Sequence, residues 1–114
     1  MLPQLEAILR ASPKVRSFRI VDNDPIDERN FLFKIRCELV SGQSLQIRLR
    51  SDAGQIQYSY QEFAEKPLRR WDNAPHFPRL PNFPHHYHDL NGTVTESLLT
   101  GDPITDLPQV LMAL

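Results

Sequence analysis

Residues able to move protons are gathered in one stretch of this chain. Trp71–His88 holds all four histidines, His76, His85, His86 and His88. An imidazole titrates near neutral pH, so two of them can act as general base and general acid. Asp72 can orient such a ring and hold its tautomer. Arg69, Arg70 and Arg79 are permanent cations suited to gripping a phosphate and offsetting charge in a phosphorane-like transition state. Trp71 and Tyr58, with Tyr60 and Tyr87, are candidate platforms for stacking an unpaired base. These types suit RNA cleavage by attack of the 2′-hydroxyl, with no metal or cofactor required. The expected acid–base group is Asp72, His76, His86 and His88. The expected substrate contacts are Tyr58, Arg69, Arg70, Trp71, Arg79 and His85.

Spacing limits how these groups can meet. Pro75, Pro78, Pro81 and Pro84 recur every third residue, the repeat of polyproline II. In that conformation the strap has three faces: the prolines, then Phe77, Leu80 and Phe83, then His76, Arg79, Asn82 and His85. His76 and His85 would stand about 28 Å apart at roughly 3.1 Å per residue. A shared site then requires the strap to bend. The tighter pairings are Asp72 with His76 at one end, or His86 with His88 at the other. On a strand, His86 and His88 share a face, with His85 and Tyr87 on the opposite one.

Two other readings use the same residues. His86 and His88 could supply two metal ligands, with Asp72 or Asp89 as a third, for a metal-dependent hydrolase or nuclease. No cysteine pair or helical His-x-x-x-His supports that reading. Alternatively the strap is a rigid belt whose Phe77, Leu80 and Phe83 close a sheet face. The histidines would then be structural, in a binding protein without catalysis.

The elements that must position these groups are legible from periodicity. At 114 residues with 40% hydrophobic composition, one domain spanning 1–114 is expected. Net charge is −1, so the whole molecule is no polycation. Between Lys66 and His88, however, Lys66, Arg69, Arg70 and Arg79 face one acid, Asp72, a local field that draws in anions. The single cysteine, Cys37, excludes an intrachain disulfide and fits a small core position. No apolar run is long enough to span a membrane, and no signal-like N-terminus is present, so a cytoplasmic protein is expected.

Leu2, Leu5, Ile8 and Leu9 mark a helix that stops at Ser12-Pro13. From Val15 the period becomes two, and Asn23-Asp24-Pro25 is expected to end the first strand. Phe31, Phe33, Ile35, Cys37 and Leu39 share one face of the next, with Lys34, Arg36 and Glu38 opposite. Leu45, Ile47 and Leu49 alternate with Gln46, Arg48 and Arg50, and Ile56, Tyr58 and Tyr60 continue the inward face. A fifth strand runs through Leu68–Trp71. Asn91-Gly92 predicts a type I′ hairpin. A last helix starts near Thr105 or Asp106, with Pro108 in its first turn. The fold class is α+β: an antiparallel meander covered on one face by the N- and C-terminal helices, with the proline-rich strap across it.

Arg70-Trp71-Asp72-Asn73-Ala74-Pro75-His76, followed by Phe83-Pro84-His85-His86-Tyr87-His88, resembles the TumE family of bacterial toxin–antitoxin toxins. The close match covers about 20 of 114 residues. Trp71 stands where that family usually has Tyr, Phe77 where it has a second His, and Tyr87 where it has Lys. The resemblance implies a small toxin paired with an Xre-type helix-turn-helix antitoxin. Endoribonuclease action and RNA binding are inferred from the residue chemistry.

Overall fold

The computed structural model describes residues 1–114 and carries the expected α+β architecture. Helix α1 (Leu2–Ala11) leads into β1 (Val15–Asp27), β2 (Asn30–Leu39), β3 (Ser44–Asp52), β4 (Gln55–Phe63), β5 (Pro67–Asp72), β6 (His86–His88) and β7 (Val94–Glu96), then α2 (Pro103–Ala113). The strands form one sheet in sequence order, and every neighbouring pair is antiparallel. No helix is long and apolar enough to cross a membrane.

Alternation decides which face is buried. Phe31, Phe33, Ile35, Cys37, Leu39, Leu45, Ile47 and Leu49 project to one side with Tyr58, Tyr60 and Trp71. Leu5 and Leu9 of α1 and Leu107, Val110 and Leu111 of α2 close over them. Lys34, Arg36, Gln46, Arg48, Gln61 and Arg70 take the other, uncovered side. Burial pushes the Cys37 thiol up to about 12. Native protein should therefore resist a thiol reagent at neutral pH, and labelling should appear only with unfolding. Rapid native labelling would contradict this packing.

Local expectations fail where tertiary partners intervene. β1 does not end at Asn23-Asp24-Pro25 but pairs on to Asp27, with Pro25 opposite Phe31. It is an edge strand, where a missing N–H costs no ladder bond. α2 starts earlier than Thr105: the Asp102 carboxylate accepts from Ile104 N–H, with Pro103 in the first turn. Pro108 consequently lies inside the helix, not at its start. The Asn91-Gly92 connection is wider than a two-residue turn. Asp89 accepts from the backbone N–H groups of Asn91 and Thr93 and shapes the loop itself.

The strap does not adopt polyproline II, which has no internal hydrogen bonds. Residues 73–85 fold as successive turns, with Leu80 N–H bonded to Phe77 O and His85 N–H to Asn82 O. Asn82 takes φ +59°, and its amide donates to the carbonyls of Ser97 and Leu99. Those anchors bend the strap, and the three-faced ribbon is lost with its straightness. Phe83, expected on a buried face, is 46% exposed.

Candidate functional site

The pairing of β5 with β6 builds the site. Asp72 sits opposite His86, and Arg70 opposite His88, all four on the uncovered sheet face. Asn73 fixes the end of β5, accepting from Tyr58 N–H at 2.9 Å and donating to Ile56 O at 2.8 Å. Its amide thus replaces a peptide group and extends the β4–β5 pairing by one side chain.

Asp72 is 4% exposed and fully engaged. Its Oδ1 accepts from Ala74 N–H at 2.9 Å and lies 2.9 Å from His86 Nε2. Its Oδ2 accepts from Arg70 Nε at 2.6 Å and lies 3.5 Å from His88 Nε2. His86, 2% exposed, places Nδ1 at 3.0 Å from Pro84 O. A carbonyl only accepts, so Nδ1 carries the proton there. Phe77 packs edge-on against both rings, at 4.8 Å from His86 and 6.1 Å from His88 between centroids.

His88 differs from His86. Its side chain is 29% exposed. Burial holds its pKa below the ordinary 6.5, and Asp72 pulls it partly back up. A neutral, oriented and accessible imidazole is what a general base requires. On the β3–β4 side of Asp72 and Arg70, away from the histidines, a cavity of about 220 Å³ opens between Arg48, Ser59, Arg70, Asp72 and Asn73. The Arg70 side chain is 43% exposed, so its Nη atoms remain accessible while Nε holds Asp72.

The expected residues divide. Asp72, His86, His88 and Arg70 converge. His76 does not: it is exposed, and its ring stacks edge-on only with Phe77, at 6.4 Å. The pairing of Asp72 with His76 is thereby replaced by Asp72 with His86 and His88. Arg79 is exposed on the strap and forms no ion pair.

Parity corrects four substrate contacts. Arg69 projects to the helix-covered face, where Nε and Nη2 hold Glu62 at 2.7 and 3.0 Å and Nη1 donates to Ala113 O. It clamps the C-terminal helix to the sheet and is not placed to meet a phosphate beside Asp72. Trp71 is a core residue 5.0 Å from Tyr87, and Tyr58 is a core residue 5.2 Å from Tyr60. Neither offers a free ring face to a base. His85 hydrogen-bonds the Tyr58 hydroxyl through Nδ1 at 2.8 Å and stacks on that ring, on the far side of the sheet. Two residues at the site, Arg48 and Asn73, were missed. Arg48 was legible as an outward position of β3, but its approach to Asp72 depends on the Ser59 pairings across β4.

Asp72, His86 and His88 each present a ligand-type atom, all within 4.8 Å of one another. The donor set fits a borderline divalent metal, and the Nδ1–carbonyl bond of His86 leaves Nε2 turned inward as ligating histidines do. Arg70 at 2.6 Å from Asp72 already supplies a cation to that carboxylate.

No curated protein and no solved structure matches the chain. A family model described as Toxin TumE matches residues 5–113, nearly the whole fold and all of Arg70, Asp72, His86 and His88, and the chain belongs to this toxin family.

Proposed function

We propose that this toxin is a metal-independent endoribonuclease whose general base is His88. One observation carries the reading: Asp72 orients two imidazoles, of which only His88 is accessible. With Nε2–H toward Asp72, His88 keeps the Nδ1 lone pair free to accept a proton. It takes that proton from a ribose 2′-hydroxyl. The O2′–P bond forms as the P–O5′ bond breaks, leaving a 2′,3′-cyclic phosphate. The departing 5′-oxygen takes a proton from water. Arg70 offsets the charge gathering on the phosphoryl oxygens. His86 is a positioning residue, since Nδ1 faces Pro84 O and Nε2 faces Asp72, which leaves neither ring nitrogen open to substrate. The partner is an Xre-type helix-turn-helix antitoxin that neutralises the toxin by covering this face, and the compartment is the cytoplasm.

Purified protein should cleave single-stranded RNA in the presence of a chelator, and His88→Gln should lower the rate about 10²–10⁴-fold. Because burial lowers the His88 pKa, cleavage should hold steady as pH falls through 6.5 and decline only below it. A base must be unprotonated, so the loss is on the acid side. Chelator-resistant cleavage by His88→Gln at the wild-type rate would overturn the assignment.

The grouping of three ligand atoms favours one second reading, a metal-dependent nuclease at the same residues. Zinc or manganese retained by purified protein, together with chelator-sensitive cleavage, would establish it in place of the first. A toxin that arrests growth with all four histidines replaced would be a binding protein instead.

A further inference from the structure

The sheet face away from the helices carries more positive charge than its fold requires. Register places two straight rows across it. One runs Lys34, Arg48, Ser59, Asp72, His86; the other Arg36, Gln46, Gln61, Arg70, His88. Arg19 of β1 extends the second row from opposite Arg36. On β1 the first row continues to Asp22, opposite Lys34, and on β7 to Glu96, opposite His86. Between those two acids the cations Lys34 and Arg48, with Arg19 and Arg36 in the second row, lie on β1–β3, and both rows reach a histidine of the site on β6.

Two features separate this face from an ordinary solvated one. Lys34 lies directly opposite Arg48, and Arg19 directly opposite Arg36. Like charges facing each other across strands destabilise a sheet. None of the four forms an ion pair, and the one acid facing them across strands is Asp22, opposite Lys34 on the edge strand β1, which leaves Arg19, Arg36 and Arg48 unneutralised. Arg36 is also held in place: its guanidinium lies 4.7 Å over the Phe63 ring and donates to Gln46 at 2.8 Å. The remaining central positions, Gln46, Gln57, Ser59 and Gln61, are uncharged donors and acceptors. The phenylalanine rings on this face are half-buried and already in contact, Phe63 beneath Arg36 and Phe77 against His86 and His88, so what the face chiefly offers is charge for a chain of phosphates.

We infer that this face is the binding track for the sugar–phosphate backbone of single-stranded RNA, with Lys34, Arg36 and Arg48 leading the strand to Arg70 and His88. The inference deepens the ribonuclease reading and rests on it for the identity of the polyanion. From β2 to β6 the track is four strand spacings, about 19 Å at roughly 4.8 Å each, room for several nucleotides. Binding follows charge and not sequence, since the contacts are to phosphates.

The test measures binding apart from cleavage. A fluorescent single-stranded 2′-O-methyl RNA lacks the nucleophilic hydroxyl and cannot be cut by the proposed route. Wild-type protein should bind it with strong salt dependence. Lys34→Gln/Arg48→Gln should bind at least tenfold more weakly at low salt, with the log–log salt slope reduced by about 1.4, or roughly 0.7 per phosphate contact. Arg48→Lys, which keeps the charge, should retain most of the affinity, and unchanged circular dichroism would exclude misfolding as the cause. Equal affinity of the double variant and wild type, or no binding by wild type at low salt, would overturn the track. Polyglutamate displacing the probe as well as RNA does at equal charge would assign the face to an acidic protein segment and overturn it too. Binding as expected, with an ordinary RNA left uncut, would leave the track standing and remove the ribonuclease reading alone.

Discussion

Asp72→Asn should lose RNA cleavage by about 10²–10⁴-fold, as removal of an orienting or acid–base group does, and should no longer arrest growth when expressed. The carboxylate faces four nitrogen groups: Arg70 Nε and Ala74 N–H, which donate to it, and the Nε2 atoms of His86 and His88. An asparagine offers a single acceptor oxygen and turns an amide N–H toward donors on the other side. His88 then loses the partner that fixes its tautomer, and the free Nδ1 lone pair is no longer guaranteed. The fold should survive at a cost of about 1–3 kcal/mol, the penalty for buried groups left without partners. Single-turnover cleavage and a thermal melt separate the two effects. Adding His86→Gln to Asp72→Asn should cost little more activity, because both substitutions disable one unit. Wild-type cleavage by a folded Asp72→Asn protein would remove Asp72 from the mechanism.

The largest effect on stability is expected at Asp106. This residue is 1% exposed in the first turn of α2. It accepts from Thr100 N–H and Thr100 Oγ1 at 2.9 Å and from Gly101 N–H at 2.8 Å. Its charge also sits near the positive end of the helix dipole. Asp106→Ala strands three donors and frees the segment that joins β7 to α2. A loss of about 3 kcal/mol follows, since unmatched buried donors cost roughly 1–3 kcal/mol each before water recovers part. In a chain of this length that lowers Tm by about 10–15 °C. Asp106→Asn should recover part of the loss through its one remaining oxygen. A calorimetric shift under about 3 °C for Asp106→Ala would mean that the loop does not depend on this carboxylate.

Some of this was written in the local sequence. The alternation from Phe31 to Tyr60 set three strands and their buried face, because burial of every second side chain leaves a period of two wherever one face is wet. The same rule put His86 and His88 on one face, and Leu2, Leu5, Ile8 and Leu9 set a helix with one buried stripe. Those patterns are local, and each segment carries its own. The TumE motif likewise lay in contiguous residues and sufficed to name the family.

What the chain could not declare locally is which distant residues share a face. Arg69 and Arg70 are neighbours in sequence and point to opposite sides of the sheet. The Tyr60–Trp71 register decides that Arg70 joins His88 while Arg69 goes to Glu62 and α2. One step of slip would have reversed them, because side chains alternate strictly along a strand. The strap failed as a ribbon for a related reason. Proline spacing favours an extended chain, but two carbonyls of residues 97 and 99 hold Asn82 and turn it. Composition and period determined the layers, the motif and the pool of chemical groups. Only the tertiary pairing decided that Asp72, His86, His88 and Arg70 meet, because hydrogen bonds between strands far apart in sequence set that register.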